Sequence, residues 1–459
     1  EDVEKSSKKK YEVSSERLKS LRSFKNFSMF VEPKNYKEAI NSTEKTQWQQ
    51  AMDRENLSLK EYDVYEEVKK PENASVIPTK WVFRKKMLQG LDPKYKARLV
   101  VVGSRQQTEE ETYSPVAAYA TIRTALAVAV SLKASIWQFD VVTAFLNGRI
   151  NEEVYVKPPE GAATGNKVWR LKRNLYGLKS SPRSWYEHFK NIMLKLDLKP
   201  CVYDCCVFRN VHLIVIIYVD DGLVIGNKQK VLTFLAQLAQ EVQITQSEAS
   251  VFLGMNIKLD EVLNEVRIGS QDYIEKIDDV WKFSTLSPRN LPCPSSLPSE
   301  DIVEVNENLP YRELIGVINY LACTTRPDVA FAASFLSRFL SKPNDALMNM
   351  ALNTGAYLYH SRDKTLVYRN HGLKIRTFTD ATYNNVSQVG TVSFFNGPID
   401  WKSKKAASVH ISSNAAEIEA ISDGARSIQA TQNILFELLA RRVQATLFTD
   451  SKGAIAVLK

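Results

Sequence analysis

The stretch Leu213-Ile-Val-Ile-Ile-Tyr218-Val219-Asp220-Asp221-Gly222-Leu-Val-Ile225-Gly226 limits most narrowly what this chain can fold into. Two apolar runs flank adjacent aspartates, and Asp221-Gly222 is a favoured hairpin-turn dipeptide. The spacing predicts a β-hairpin with both carboxylates at its tip. Asp-Gly turns by themselves occur in proteins of every kind. Two ionised carboxylates about 4 Å apart, however, repel by about 4 kcal/mol at an effective dielectric of about 20. A divalent cation relieves that repulsion, so a third acid is sought.

Asp140 is that acid. It ends the run Ile136-Trp-Gln-Phe-Asp140-Val141, which reads as a buried strand, an expensive place for an unpaired carboxylate. Held on strands of one sheet, Asp140, Asp220 and Asp221 offer hard oxygen ligands to two Mg²⁺ or Mn²⁺ ions. Such a pair suits in-line phosphoryl transfer, and the residues point to nucleotidyl transfer. In an extended strand Asp220 and Asp221 face opposite ways; the expectation is that Asp220, at the strand end, is the tighter ligand and Asp221 the more peripheral.

Charge points to the same class of partner. The net charge is +9, and between Lys80 and Arg105 eight basic residues face the single acid Asp92. A second cluster between Lys167 and Lys190 sets seven basic residues against Glu187. Both suggest a polyanion. The longest unbroken apolar run, Leu213 to Val219, has seven residues, too short for a membrane helix. Five cysteines form no paired motif and no dense framework, which implies reduced thiols and an intracellular setting.

Along the chain, residues 1–35 read as a flexible lead-in from a longer protein, since they are charged and carry no initiator Met. Trp48, Met52 and Leu59 mark a helix. Trp81–Arg84 and Ala97–Val102 read as strands joined by a turn through Gly90 and Asp92-Pro93. Thr121 to Leu132 reads as a helix, Asn147-Gly148 as a turn, and Ser181-Pro182 as the cap and first position of another helix. Phe252 to Ile257 reads as a strand interrupted by Gly254. Tyr273 to Trp281 reads as an amphipathic helix, Pro288 to Pro298 as a connector, Tyr311 to Leu340 as two helices broken at Arg326-Pro327-Asp328, and Lys374 to Asp380 as a strand.

Several ordered blocks resemble the Pol polyprotein of copia-type (Pseudoviridae) long-terminal-repeat retrotransposons, in its reverse transcriptase and ribonuclease H part. They are Tyr95-Lys-Ala-Arg98-Leu-Val, Gln138-Phe-Asp140-Val-Val-Thr-Ala-Phe145-Leu-Asn-Gly148, Leu175-Tyr-Gly-Leu-Lys-Ser-Ser-Pro-Arg183 and Tyr218-Val-Asp-Asp221. Phe252-Leu-Gly254, Tyr311-Arg-Glu-Leu-Ile-Gly316, Thr325-Arg-Pro-Asp328 and Trp401-Lys-Ser-Lys-Lys405 follow.

The resemblance implies a mixed α+β chain: a right-hand polymerase of fingers, palm and thumb, then a C-terminally incomplete RNase H-like α/β domain. The implied boundaries are a linker at 1–35, fingers and palm at 36–228, thumb and connection at 229–370, and the RNase H-like part at 371–459. It makes Asp140, Asp220 and Asp221 the palm carboxylates, with the main-chain carbonyl of Val141 completing a metal shell. Phe145 becomes an aromatic gate against a ribose 2′-hydroxyl. Arg98 holds the incoming triphosphate with Lys85 or Lys86. Lys179 and Arg183 fall beside the dNTP and template. The implied partners are an RNA or DNA template, a primer, RNA/DNA hybrid, dNTPs, and upstream integrase and capsid segments. The implied setting is cytoplasmic virus-like particles, with a nuclear stage.

Asp380, Glu417 and Asp450 fall where the family's ribonuclease H has three of its metal-binding acids. The blocks around them depart from the family: Asp380-Ala-Thr-Tyr383 replaces Asp-Ala-Asp-Trp, and Ser412-Ser-Asn-Ala-Ala-Glu417-Ile replaces Ser-Ser-Thr-Glu-Ala-Glu-Tyr. The usual Gln after Lys179 is Ser180, and no segment for a fourth acid follows Asp450. Weak or missing RNase H activity is therefore expected. The alternative to an active polymerase is a non-catalytic, decayed or domesticated remnant that binds nucleic acid.

Overall fold

The computed structural model describes residues 32–88, 91–109, 111–162, 165–294, 297–298, 304–383 and 387–458, with the side chains of 86–92 outside that description. The lead-in at residues 1–31 and the Lys86 side chain therefore lie outside the described residues.

Helix α1 (Tyr36–Ile40) starts at Asn35, whose side chain accepts from the Glu38 N–H at 3.0 Å. Helix α2 (Lys45–Glu61) buries Trp48, Met52 and Leu59, as their spacing requires. After β1 (Tyr65–Lys69) and β2 (Val76–Ile77) comes an antiparallel ribbon of β3 (Thr79–Leu88) and β4 (Leu91–Val101). Its register pairs Lys80 with Val100, Arg84 with Lys96 and Val82 with Arg98. One face thus carries Lys80, Arg84, Lys94, Lys96 and Arg98, while Trp81, Phe83, Ala97 and Leu99 are buried on the other. Asp92 and Pro93 lie inside β4 rather than in the expected turn.

Helix α3 (Tyr119–Leu132) is buried at every position from Thr121 to Val130, which its small Ala and Val side chains permit. Next come β5 (Ser135–Val141), α4 (Ala144–Asn147), β6 (Tyr155–Val156), β7 (Lys167–Leu171) and α5 (Ser181–Lys195). Ser180, not Ser181, occupies the cap position of α5, because Ser181 is already helical and buried. Strands β8 (Lys199–Pro200), β9 (Val207–Arg209), β10 (Leu213–Tyr218) and β11 (Asp221–Gly226) precede α6 (Lys228–Glu241) and β12 (Ile244–Glu248). An antiparallel sheet ordered β12-β5-β11-β10-β9-β8 results, and its apolar strands share one core with α3 and α5.

The segment expected as one strand at Phe252–Ile257 is a hairpin of β13 (Val251–Phe252) and β14 (Met255–Asp260). Leu253 and Gly254 both have positive φ, 49° and 76°, so the glycine makes a turn rather than an interruption. Strand β15 (Glu265–Gly269) follows. A helical layer with its own core contains α7 (Gln271–Trp281), α8 (Tyr311–Thr324), α9 (Ala330–Ser337) and α10 (Asp345–His360). Strand β16 (Leu366–Arg369) returns to pair with β15.

The last sheet holds β17 (Lys374–Ala381), β18 (Gln388–Phe394), β19 (Pro398–Lys405) and β20 (Gln444–Phe448), in the order β19-β18-β17-β20. The long α11 (Ser413–Leu439) connects β19 to β20, which runs parallel to β17, and α12 (Lys452–Leu458) ends the described chain. The fold is α+β. No helix among the described residues is long and apolar enough to cross a membrane.

Candidate active site

The β5–β11 register sets Asp140 directly opposite Asp221 and Phe139 opposite Gly222. Cross-strand partners project to the same face, so Asp140 and Asp221 stand side by side at one end of the central sheet. Tyr218 pairs with Asp221, which makes Val219-Asp220 the two-residue turn. The expected Asp221-Gly222 turn and the expected strand-end place of Asp220 are both corrected: Asp221 opens β11, and Asp220 rides on the turn.

Gly222 has a packing reason instead. A Cβ there would sit 2.1 Å from the buried Phe139 ring. Asp140 is exposed, not enclosed as the apolar run before it suggested, because β5 alternates its faces and ends at the edge of the core. Ionised carboxylates there keep their hydration.

Val219 adopts φ +59°, a left-handed conformation that is strained for a β-branched residue. Two contacts hold it. The Trp185 indole N–H of α5 donates to the Val219 carbonyl at 2.6 Å, and the Val141 N–H donates to the Asp220 carbonyl at 2.9 Å. The second bond ties the hairpin tip to the end of β5, so all three aspartates share one frame.

Tyr176 stands beside that frame. Its ring lies 4.5 Å from the Arg98 guanidinium and 5.2 Å, edge-on, from the Phe145 ring. Burial pushes the Tyr176 hydroxyl up to about 12; Arg98 opposes the shift, and Glu55, Asp220 and Asp140 add to it. Arg98 and Phe145 therefore both pack on the Tyr176 ring, within the field of Asp140 and Asp220. The Tyr176 carbonyl accepts from the Val101 N–H at 2.7 Å, which joins the ribbon to the segment leading into α5. Gly177 permits the approach: its φ is +91°, and a Cβ would meet the Val101 carbonyl oxygen at 2.1 Å.

The remaining expected residues are dispersed. Lys85 is on the inward face of the ribbon, opposite to Arg98, and its ammonium pairs with Glu44, which also accepts from the Tyr95 hydroxyl at 2.7 Å. Lys179 folds onto Gln106, donating to its carbonyl at 2.8 Å. Arg183 pairs with Glu187 at 2.9 Å and Glu111 at 3.6 Å. Sequence reasoning gave no role to Tyr176 or Trp185. Tyr176 stood inside a recognised block next to a glycine, which was the available signal; Trp185 looked like one more apolar position of a helix.

A second group of acids converges in the last sheet. Oxygen atoms of Asp380, Glu417 and Asp450 lie within 4.8 Å of one another, the one such trio of acids among the described residues. Glu417 is buried with an unpartnered Oε2. Burial raises its carboxyl, with Asp380 and Asp450 adding and the Ala381 N–H opposing. An oxygen-rich, charge-crowded cluster fits a hard divalent cation.

A model of the family described as reverse transcriptase (RNA-dependent DNA polymerase) matches residues 62–293, just over half of the chain, and the chain belongs to that family. It is 30% identical to the retrovirus-related Pol polyprotein from transposon TNT 1-94 of Nicotiana tabacum, over 93% of this chain and 34% of that relative. It is 29% identical to the polyprotein from transposon RE2 of Arabidopsis thaliana, over 91% of this chain and 30% of the relative. The transposon Ty1-H Gag-Pol polyprotein of Saccharomyces cerevisiae is 27% identical, over 96% and 26%. The similarity to copia-type Pol polyproteins thus covers most of the chain, which spans about a third or less of these relatives' length.

Proposed function

We propose that this chain is an RNA-directed DNA polymerase, extending a primer 3′-hydroxyl with dNTPs on an RNA or DNA template. The observation that carries the reading is the β5–β11 register, which sets Asp140 opposite Asp221 while the turn brings Asp220 to the same end. Three carboxylates exposed or half-exposed at a sheet end are hard oxygen donors of the type Mg²⁺ or Mn²⁺ takes, though their oxygens do not all lie within 4.8 Å of one another as those of Asp380, Glu417 and Asp450 do. Asp140, Asp220 and Asp221 would hold the ions together with the Val141 carbonyl. Bound there, the cations supply Lewis-acid activation and neutralise charge on the leaving pyrophosphate.

The chain's own groups perform the rest. Arg98, fixed over the Tyr176 ring, directs its guanidinium at the triphosphate, and Phe145, packed against the same ring, crowds the sugar 2′ position. The basic face of the β3–β4 ribbon supports a nucleic-acid backbone alongside. Fingers and palm correspond in this reading to residues 36–228, thumb and connection to 229–370, and an RNase H-like part to 371–459. The Asp380–Glu417–Asp450 cluster is a second divalent-cation position. Hybrid cleavage there is expected to be weak beside polymerisation, and robust RNA degradation abolished by Asp380→Asn would contradict that expectation.

Primer extension on poly(rA)·oligo(dT) with Mg²⁺ tests the polymerase. Asp220→Asn should remove extension; equal extension by parent and variant would refute the proposal.

A further inference from the structure

We propose that the cavity between α4 and α5 is a phosphate-binding site built on Arg149 and Arg173, separate from the aspartate end of the sheet. The cavity holds about 610 Å³, and its walls include Arg149, Arg173, Arg183 and His188 together with the carboxylates of Glu111, Glu152 and Glu187. That volume accommodates a nucleotide-sized group.

Arg149 and Arg173 are direct partners across an isolated antiparallel bridge. Like charges directly opposite in such a pair are destabilising. Yet the arrangement is built in. The Asn174 N–H donates to the Gly148 carbonyl at 3.1 Å, and the wholly buried Asn174 side-chain amide donates to the Arg149 carbonyl at 2.9 Å. The Ser184 hydroxyl donates to the same carbonyl at 2.7 Å.

Neither arginine forms an ion pair among the described residues; Arg173 donates only to the Asn147 carbonyl, at 3.5 Å, among those residues. The carboxylates of the wall have partners other than Arg149 and Arg173: Glu187 pairs with Arg183 at 2.9 Å and Lys190 at 3.4 Å, Glu111 with Arg183 at 3.6 Å, and Glu152 accepts from the Gln106 amide at 2.7 Å. His188 reports the resulting field. Burial, then Arg173 and Arg149, hold its imidazole below the ordinary range, against a smaller opposing effect of Glu241.

Two arginines fixed as bridge partners, with Arg149 exposed, suit a phosphate group, which accepts bidentate hydrogen bonds from both and removes their repulsion. The group comes either from a nucleic-acid strand or from free phosphate or pyrophosphate. The site does not depend on polymerase activity.

Calorimetric titration of the full chain with sodium phosphate, sodium pyrophosphate and a short single-stranded RNA tests it. Variants Arg149→Gln and Arg173→Gln are compared with Lys374→Gln as a remote charge control. The variants should bind at least one of the three ligands about tenfold more weakly or worse, a loss of about 1.4 kcal/mol, and the control should match the parent. In chloride buffer both variants should melt no lower than the parent, since repulsion is relieved. If the variant-sensitive binding is tighter for RNA, the source is a strand; if tighter for phosphate or pyrophosphate, it is the free anion. Binding equal in parent and variants, no binding of any ligand by the parent, or variants that melt lower in chloride would overturn the site.

Discussion

At the scale of single residues, two positions near the aspartates are held against local preference. Gly222→Ala drives a methyl group into the buried Phe139 ring and should cost about 1–3 kcal/mol in urea denaturation. A loss below about 0.5 kcal/mol would mean that the ring moves freely. Val219 is the converse case, a β-branched residue at φ +59° kept there by Trp185. Val219→Gly should stay within about 1 kcal/mol of the parent, because relief of strain offsets chain entropy, whereas Val215→Gly in the neighbouring buried strand should cost about 3 kcal/mol or more. The adjacent acids were legible from the sequence as a pair, but the turn was not. An Asp-Gly dipeptide satisfies turn chemistry and sheet packing alike, and only the Phe139 ring across the ladder decides between them.

Among elements, the short helical turn at Arg326-Pro327-Asp328 shows why a break in an apolar run can be structural. Arg326, 2% exposed, forks onto Asp328 at 2.8 and 2.9 Å and donates to the Ser361 carbonyl at 3.0 Å, while the Tyr357 hydroxyl donates to Asp328 at 2.7 Å. Burial works to raise the Asp328 carboxyl, but Arg326 and Tyr357 outweigh it and hold it below the usual range. Its stabilisation is therefore complete above the unfolded value of about 3.9 and is lost as pH falls through the lower folded value. Asp328→Asn should cost about 3–5 kcal/mol at neutral pH by leaving Arg326 without a counter-charge. Below about pH 4 the variant should lose less further stability than the parent, as followed by urea melts at each pH. Helices with clear apolar spacing, such as α2 and α7, were legible in the same way as this break. The β13–β14 hairpin was not, because a lone glycine within an apolar run reads as an interruption of one strand as readily as a turn between two.

For the whole molecule, Arg123 of α3 joins parts distant in sequence. Only 3% exposed, it donates to the carbonyls of Ile399 at 2.8 Å, Cys323 at 2.7 Å and Thr324 at 2.9 Å, and lies 3.8 Å from the Trp401 ring. One apolar core runs from α3 and the central sheet to Phe395, Ile399 and Leu435. The last sheet should therefore unfold together with the central one in calorimetry. Arg123→Ala should lower stability by about 3 kcal/mol or more and separate the transition into two; one unchanged transition would contradict the coupling. Such a junction is invisible in sequence, since its partners are main-chain carbonyls whose positions no side-chain pattern records.

The central claim is that pairing of β5 with β11 assembles a polymerase centre. Single-nucleotide dNTP incorporation by the parent, Asp140→Asn and Asp221→Asn measures it most directly, with melting temperatures taken on the same samples. The account predicts that Asp140→Asn, folded as stably as the parent, loses about 10³-fold or more of the rate, with Asp221→Asn also impaired. Incorporation by Asp140→Asn at the parental rate would contradict it.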